Sequence, residues 1–260
     1  MIDSIPVTFD SLANLLPFIV VGFGAQIVDG ALGMAFGVIS STLLLALGVP
    51  PSAASAGVHA AEAVTTGVSG ISHIMHRNVD WRVFLRLVVP GVIGGVIGAY
   101  FLSNIEGGVI KPFIQAYLLG IALWLLWRGL RYPPKIKTPR HVAPLGLAGG
   151  FLDATGGGGW GAIVTSNLLI QGASPRHTVG TVNTVEFIVT LAISITFLLN
   201  LGWEILTLAT LGLLIGGVFA APFGAMLAKQ LEPKTLLIVV GFVLFATSGF
   251  GLSKSLGFIG

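Results

Sequence analysis

The chain contains no cysteine and very little charge, and each scarcity removes a class of function. Without Cys there is no thiol chemistry and no thiolate ligation of haem or iron–sulfur clusters. The redox compartment leaves no mark. Charged residues make up 9% of the 260 positions, against roughly 25% in a soluble domain. No Gly-Lys-Ser/Thr follows any glycine run, so there is no P-loop to hold ATP. No spacing of His, Asp and Glu suggests a bound metal, and no cofactor is expected. The net charge of +3 resides in loops and does not point to nucleic acid. The stretch from Met1 to Asn14 is acidic and lacks the basic region of a cleaved signal peptide.

What is present is apolar. Hydrophobic residues are 54% of the chain and the mean hydropathy is +0.95. Apolar segments run over 11–28, 31–48, 53–75, 82–102, 109–130, 143–170, 176–200, 203–228 and 235–252. Several reach the ~20 residues that span about 30 Å of hydrocarbon. The expected fold is an all-α polytopic membrane protein, embedded in the lipid bilayer. The segment 143–170 is interrupted by Asp153-Ala-Thr-Gly-Gly-Gly-Gly-Trp-Gly161. Backbone freed from a helix at membrane depth must be buried in protein or line a cavity. A broken or re-entrant helix is therefore expected here.

The two halves of the chain are alike. A shift of 124 places Asp29 on Asp153, Gly33 on Gly157, Gly37 on Gly161, Gly48 on Gly172, Pro51 on Pro175 and Glu62 on Glu186. Ile39, Leu44, Leu45 and Val58 also match, so 10 of the 34 positions 29–62 are identical. Ile93-Gly-Gly-Val96 matches Ile215-Gly-Gly-Val218 after a slip of two residues. This divides the chain into a first repeat, 1–127, a basic linker, 128–142, and a second repeat, 143–260, with about four apolar segments in each repeat. With an odd number of crossings per half, 11 Lys and Arg fall on one side and only Lys111 and Lys254 on the other. An excess of Lys and Arg marks the cytoplasmic side. The split favours an inverted repeat, with the linker in the cytoplasm and both termini outside.

Six of the ten acids lie in termini or at helix ends: Asp3, Asp10, Asp80, Glu106, Glu204 and Glu232. The other four, Asp29, Glu62, Asp153 and Glu186, lie within apolar segments as two repeat-related pairs. A charge at the bilayer centre costs about 2.5–3.5 kcal/mol on insertion scales, so each such residue is a candidate for function. The Asp residues either cap half-helices or bind substrate. Glu62 and Glu186 either hold helix contacts or carry protons. His59 lies one turn before Glu62, and Asn183 holds the same place before Glu186. A carboxylate beside an imidazole can relay a proton, or His59 only bonds across helices. Ser55, Thr65, Thr66, Thr181, Thr184 and Thr190 add donors on the flanks. His73, His76, His141 and His177 lie near helix ends.

Glycines offer a second chemistry. Gly156, Gly157, Gly158 and Gly159 would let backbone N–H groups converge beside a helix start near Trp160, which is an anion site in kind. Gly30, Gly33 and Gly37 form a sparser version. Ser40, Ser41, Thr42, Thr165, Ser166 and Asn167 are placed to complete an anion's shell, with Gln26 and Trp160 lining the way in. The alternative is that glycines only let helices approach closely, which is the reading for Gly94, Gly95, Gly98, Gly216 and Gly217.

These residues resemble a known family. Asp29-Gly-Ala-Leu-Gly-Met-Ala-Phe-Gly37, Gly48-Val-Pro-Pro51, Ser69-Gly-Ile-Ser-His73 and Asn78-Val-Asp80 are similar to the first half of the TauE/SafE sulfite exporters. Phe151 to Gly161, with Val179-Gly-Thr-Val-Asn-Thr-Val-Glu186, is similar to the second half. The resemblance covers about 20–250. It implies a multi-pass transporter of the bacterial inner membrane that moves sulfite, sulfoacetate or another organosulfonate. Where the first half carries Ala31-Leu32 and Met34-Ala35-Phe36 in place of a denser glycine cluster, the second half-site is expected to hold more of the anion. The leading expectation is a secondary transporter coupled to protons through Glu62 or Glu186, with Gln26, Asp29, Gly33, Ser40, His59, Asp153, Gly156–Gly159, Trp160, Thr165 and Asn183 at the substrate. A passive anion channel and a membrane-embedded enzyme or assembly factor are the alternatives, and a homodimer is left open.

Overall fold

The computed structural model describes residues 9–32, 34–131, 139–165, 167–168, 171, 173–227 and 233–258. Gly33, Ser166, Gly172 and positions 132–138 of the linker lie outside the described residues.

The described chain is helical. In order come α1 (Phe9–Leu32), α2 (Phe36–Ala46), α3 (Pro51–Met75), α4 (Trp81–Ser103), α5 (Gly107–Leu130) and α6 (Val142–Gly156). A π-helical turn, Gly161–Thr165, follows. Then come α7 (Pro175–Leu201), a 3₁₀ turn (Trp203–Ile205), α8 (Leu208–Leu227) and α9 (Pro233–Ser255). Among the described residues three stretches are long and apolar enough to cross a membrane: Trp81–Ser103, Pro112–Leu130 and His177–Leu201. The protein is a helical membrane protein.

α4 shows why such a sequence folds this way. Its start is capped by Asp80, whose Oδ1 accepts from the N–H groups of Arg82 and Val83 at 3.0 and 3.3 Å. Leu85, Val89, Ile93, Ile97 and Tyr100 form an exposed apolar stripe, suited to lipid. Leu87, Gly91, Gly94, Gly95, Gly98 and Leu102 form the buried one. Glycine on a helix face lets two backbones approach closely, and the buried stripe uses this twice. Gly94 and Gly98 lie against the backbone of Leu147 and Phe151 in α6, and Gly95 lies against Ile193 in α7. In the other half, Gly212 and Gly216 of α8 meet Phe18 and Ile19 of α1. These glycines are packing surfaces.

The pairings cross the middle of the chain. α4 of the first half packs on α6 of the second, and α8 of the second packs on α1 of the first. In both pairs the helices run in the same direction, because rising numbers on one meet rising numbers on the other. α3 and α7, which correspond under the 124-residue shift, run in opposite directions: Gly67 faces Phe187 while Gly70 faces Thr184. α5 and α9 also oppose, with Gly241 against Leu126 and Gly251 against Gln115.

The helix ends depart from the sequence reading in two places that matter. α1 continues through Asp29 to Leu32, beyond the expected end at 28. α6 continues through Asp153 to Gly156, so the interruption begins after the aspartate. In each case the Asp stays helical and the break falls on the following residues, where Gly157, Gly158 and Gly159 have φ of 75°, 119° and 140°. Those values favour glycine. Ala35 takes φ 101° at the first break, the position that Gly159 occupies in the second.

The glycine faces yield a test. A Cβ on Gly94 would collide with the Leu147 carbonyl, whereas one on Gly24 would meet nothing within 4 Å. Gly94→Ala is expected to lower the melting temperature of the detergent-purified protein, since overpacking costs about 1–3 kcal/mol. Gly24→Ala should leave it unchanged or raise it.

Candidate functional site

A carboxylate inside apolar helices needs hydrogen-bond donors, and a helix that starts at membrane depth has spare N–H groups. The structure joins the two needs four times. Asp29 Oδ1 accepts from the N–H of Phe36 at 3.3 Å, and Asp153 Oδ1 accepts from that of Trp160 at 2.8 Å. The carboxylate of Glu62 lies against Gly37, whose N–H acts on it, and the N–H of Gly161 acts likewise on the carboxylate of Glu186. Donors and acceptors of the two halves are related by the same shift of 124. At each break one Asp reaches forward from the preceding helix and one Glu reaches in from α3 or α7.

The two breaks touch. A Cβ on Gly37 would lie 2.6 Å from Gly158 Cα and 2.7 Å from Glu62 Oε1. First-half hydroxyls also cap the end of α6. Ser55 Oγ donates to Ala154 O at 2.6 Å, and Ser41 Oγ donates to Gly157 O. Carbonyls at a helix end have no partner within the helix, so these serines satisfy them and fasten the halves together.

His59 crosses the same seam. Its Nε2 lies 3.1 Å from Asp153 Oδ2, with both side chains fully buried. Its Nδ1 lies 2.7 Å from Ser55 O, an acceptor only, so Nδ1 carries a proton. Nε2 and Oδ2 then share one further proton, whether held as an ion pair or as a neutral pair. Asp153 thus holds an amide with one oxygen and an imidazole with the other. The second half has no equivalent: Asn183 Nδ2 donates to Ser69 Oγ at 3.2 Å and is not bonded to Asp29.

Several of the expected site residues are engaged in other contacts. Two amides of the glycine run are not free, because the N–H groups of Gly157 and Gly158 turn back onto the Asp153 carbonyl. This is how a left-handed residue closes a helix C-terminus. Trp160 does not line a way in. It is fully buried, its ring fills the space left by Gly91 and Gly149, and its N–H donates to Val182 O at 3.3 Å. Thr66 and Thr190 donate to the carbonyls of Glu62 and Glu186 one turn back, and Thr184 to Gly180 O. Hydroxyls in helices prefer such local acceptors. Thr181 accepts from the Asp80 N–H. Asn167 Nδ2 donates to Ile163 O.

Other expected residues are unspent. Gln26 Oε1, Ser40 Oγ, Thr165 Oγ1 and Glu62 Oε2 are buried with no hydrogen-bond partner. Gly33 lies outside the described residues. Gly156 is covered by the ring of Tyr117, whose hydroxyl faces Gly159 and is buried without a partner. Sequence reasoning missed Tyr117. The available signal was a single phenol in an otherwise apolar stretch of α5, since a buried Tyr O–H usually finds a partner.

A cavity lies away from the breaks, at the start of α4 and α7. It has a volume of about 750 Å³ and is lined by Asp80, Arg82, His177, Thr178 and Thr181 among others.

Asp153 and Asp29 separate experimentally. Removing one partner of a buried pair costs about 3–5 kcal/mol, and losing a cap costs about 1 kcal/mol. Asp153→Ala is therefore expected to lower the melting temperature more than Asp29→Ala. Equal losses would contradict the bond to His59.

Two comparisons bear on this arrangement. The family described as Sulfite exporter TauE/SafE matches residues 18–250. A Bacillus subtilis (strain 168) protein named "Probable membrane transporter protein YtnM" is 45% identical over 240 residues, covering 88% of this chain and 80% of that protein. No solved structure matches.

Proposed function

Because the chain belongs to the sulfite exporter TauE/SafE family, we propose that it is a secondary transporter moving a small sulfur-containing anion with protons. The family name points to sulfite, and we extend the class to sulfonates such as sulfoacetate, which present a similar face of oxygens. The observation that supports this reading most is the meeting of two helix breaks whose amides are held by four buried carboxylates. Transporters place substrate and coupling ions at discontinuous helices where repeats meet.

In this reading the first repeat (1–127) and the second (143–260) are inverted copies, joined by the cytoplasmic linker 128–142. The antiparallel packing of α3 on α7 and of α5 on α9 supports inversion. The chain is multi-pass in the bacterial inner membrane. Glu62 and Glu186 carry the coupled protons, and the His59–Asp153 pair holds one more. Ser40, Gln26, Thr165 and Tyr117 present unspent polar atoms to the anion. The cavity bearing Arg82 and His177 is its cytoplasmic mouth. Every one of these residues comes from one copy, and a homodimer would pair two such units.

Purified protein in liposomes tests the reading. Labelled sulfite or sulfoacetate should accumulate, saturate with concentration and respond to an imposed pH gradient. Glu62→Gln and Glu186→Gln should each reduce gradient-driven accumulation by about tenfold or more, equivalent to 1.4 kcal/mol. Unsaturable flux that is indifferent to Glu62→Gln would indicate a channel. Product formation without translocation would indicate an enzyme.

A further inference from the structure

The breaks present a difficulty for an anion. The amides at Phe36 and Trp160 already have acceptors, Glu62 lies against Gly37 and Glu186 faces the N–H of Gly161, so each break meets the chain's own carboxylates. The two Asp residues sit on the helices that lead into the breaks, seven residues before the amide each holds. They are local caps. The two Glu residues come from separate helices and hold Gly37 and Gly161 from outside. A side chain that reaches in across a helix interface can leave without unwinding the break.

We propose that Glu62 is a tethered anion: its carboxylate occupies the Gly37 amide that the transported anion takes, and a proton on Glu62 vacates that place. Glu186 at the Gly161 amide is its counterpart. The inference rests on the transport reading and specifies how its protons and anion are linked.

Three observations carry it. The Gly37 amide begins an 11-residue helix, α2, so it offers a positive end to whichever anion is present. Glu62 is 3% exposed and only part of its carboxylate is engaged, since Oε2 has no partner. Ser40, three residues after Gly37 on α2, is fully buried with an unspent hydroxyl. A group that merely fastened helices would be expected to use both oxygens, because an unsatisfied buried polar atom costs about 1–3 kcal/mol. An oxyanion with three oxygens has acceptors for the amide and for Ser40 together.

The charges that face Glu62 give the direction of the pH effect. They are Asp29 from α1, Asp153 from α6 and Glu186 from α7, all acidic, and on its own helix His59 is already bonded to Asp153. None of these facing charges is a cation that would hold an arriving anion beside an ionised Glu62. Replacing the Glu62 carboxylate by one sulfonate group of the arriving anion while Glu62 takes a proton keeps the charge at the Gly37 amide constant. Anion affinity should therefore fall as pH rises, by about tenfold per unit for each glutamate displaced.

Two measurements on detergent-purified protein test this, with sulfoacetate as probe because it stays ionised between pH 5 and 8. The first uses the wild type in weak buffer with a pH indicator. Adding sulfoacetate should draw about one proton per anion bound from solution, as linkage requires. Binding without proton uptake overturns the inference and leaves the transport reading standing. The second compares binding at pH 5 and pH 8. Glu62→Gln, which cannot ionise, should bind at pH 8 at least tenfold more tightly than the wild type and lose much of its pH dependence. The double variant with Glu186→Gln should lose the remainder. Wild-type pH dependence retained in the double variant overturns the inference alone. Absence of binding to the wild type at both pH values counts against the inference and the transport reading together.

Discussion

The structure depends on matching buried carboxylates to broken helices. Either feature alone is costly in a bilayer. A carboxylate among apolar helices lacks donors, and a helix begun in mid-membrane has donors without acceptors. Here Asp29 and Glu62 hold the first amides at one break, and Asp153 and Glu186 hold those at the other. The glycine faces of α4 and α8 bring α6 and α1 close enough for the breaks to touch at Gly37 and Gly158. The packing of long helices and the chemistry of the centre are thus one arrangement. Substituting a packing glycine would move the amides as well as the helices.

The halves are alike in plan and different in detail. His59 bonds Asp153 across the seam, while Asn183 turns to Ser69. Ser41 and Ser55 cap the end of α6, and at the equivalents of these positions stand Thr165, whose hydroxyl is unspent, and Val179. Ala35 adopts a left-handed conformation that glycine serves in the other half. Backbone strain of this kind costs about 1–2 kcal/mol and persists where the surroundings over-determine it. The second break is therefore tied to the first half by hydroxyls and an imidazole. Two breaks with unequal fastenings need not respond alike when one partner is removed.

Much of this was legible in the sequence. The helical membrane fold follows from long apolar spans and scarce charge. The repeat is visible because identical residues recur at one offset, and Asp29, Glu62, Asp153 and Glu186 stand out because carboxylates are rare in such surroundings. The use made of the glycines was harder to see. A run of four suggests free amides, yet Gly157 and Gly158 close α6 onto Asp153, because helix termination by left-handed residues consumes N–H groups. Trp160 reads as a rim residue, but the space beside Gly91 and Gly149 takes its indole into the core. The pairing of His59 with Asp153 joins positions 94 residues apart and leaves no local pattern. Tyr117 gave only the weak signal of an isolated phenol.

The central claim is that Glu62 and Glu186 ligate the amides of Gly37 and Gly161. A cryo-EM map of the anion-free protein at neutral pH, detailed enough to trace these side chains, tests it most directly. The account predicts both carboxylates within hydrogen-bonding distance of their respective amides, with the two breaks in contact. Carboxylates turned toward lipid, or continuous helix through 32–37 and 156–161, would contradict it.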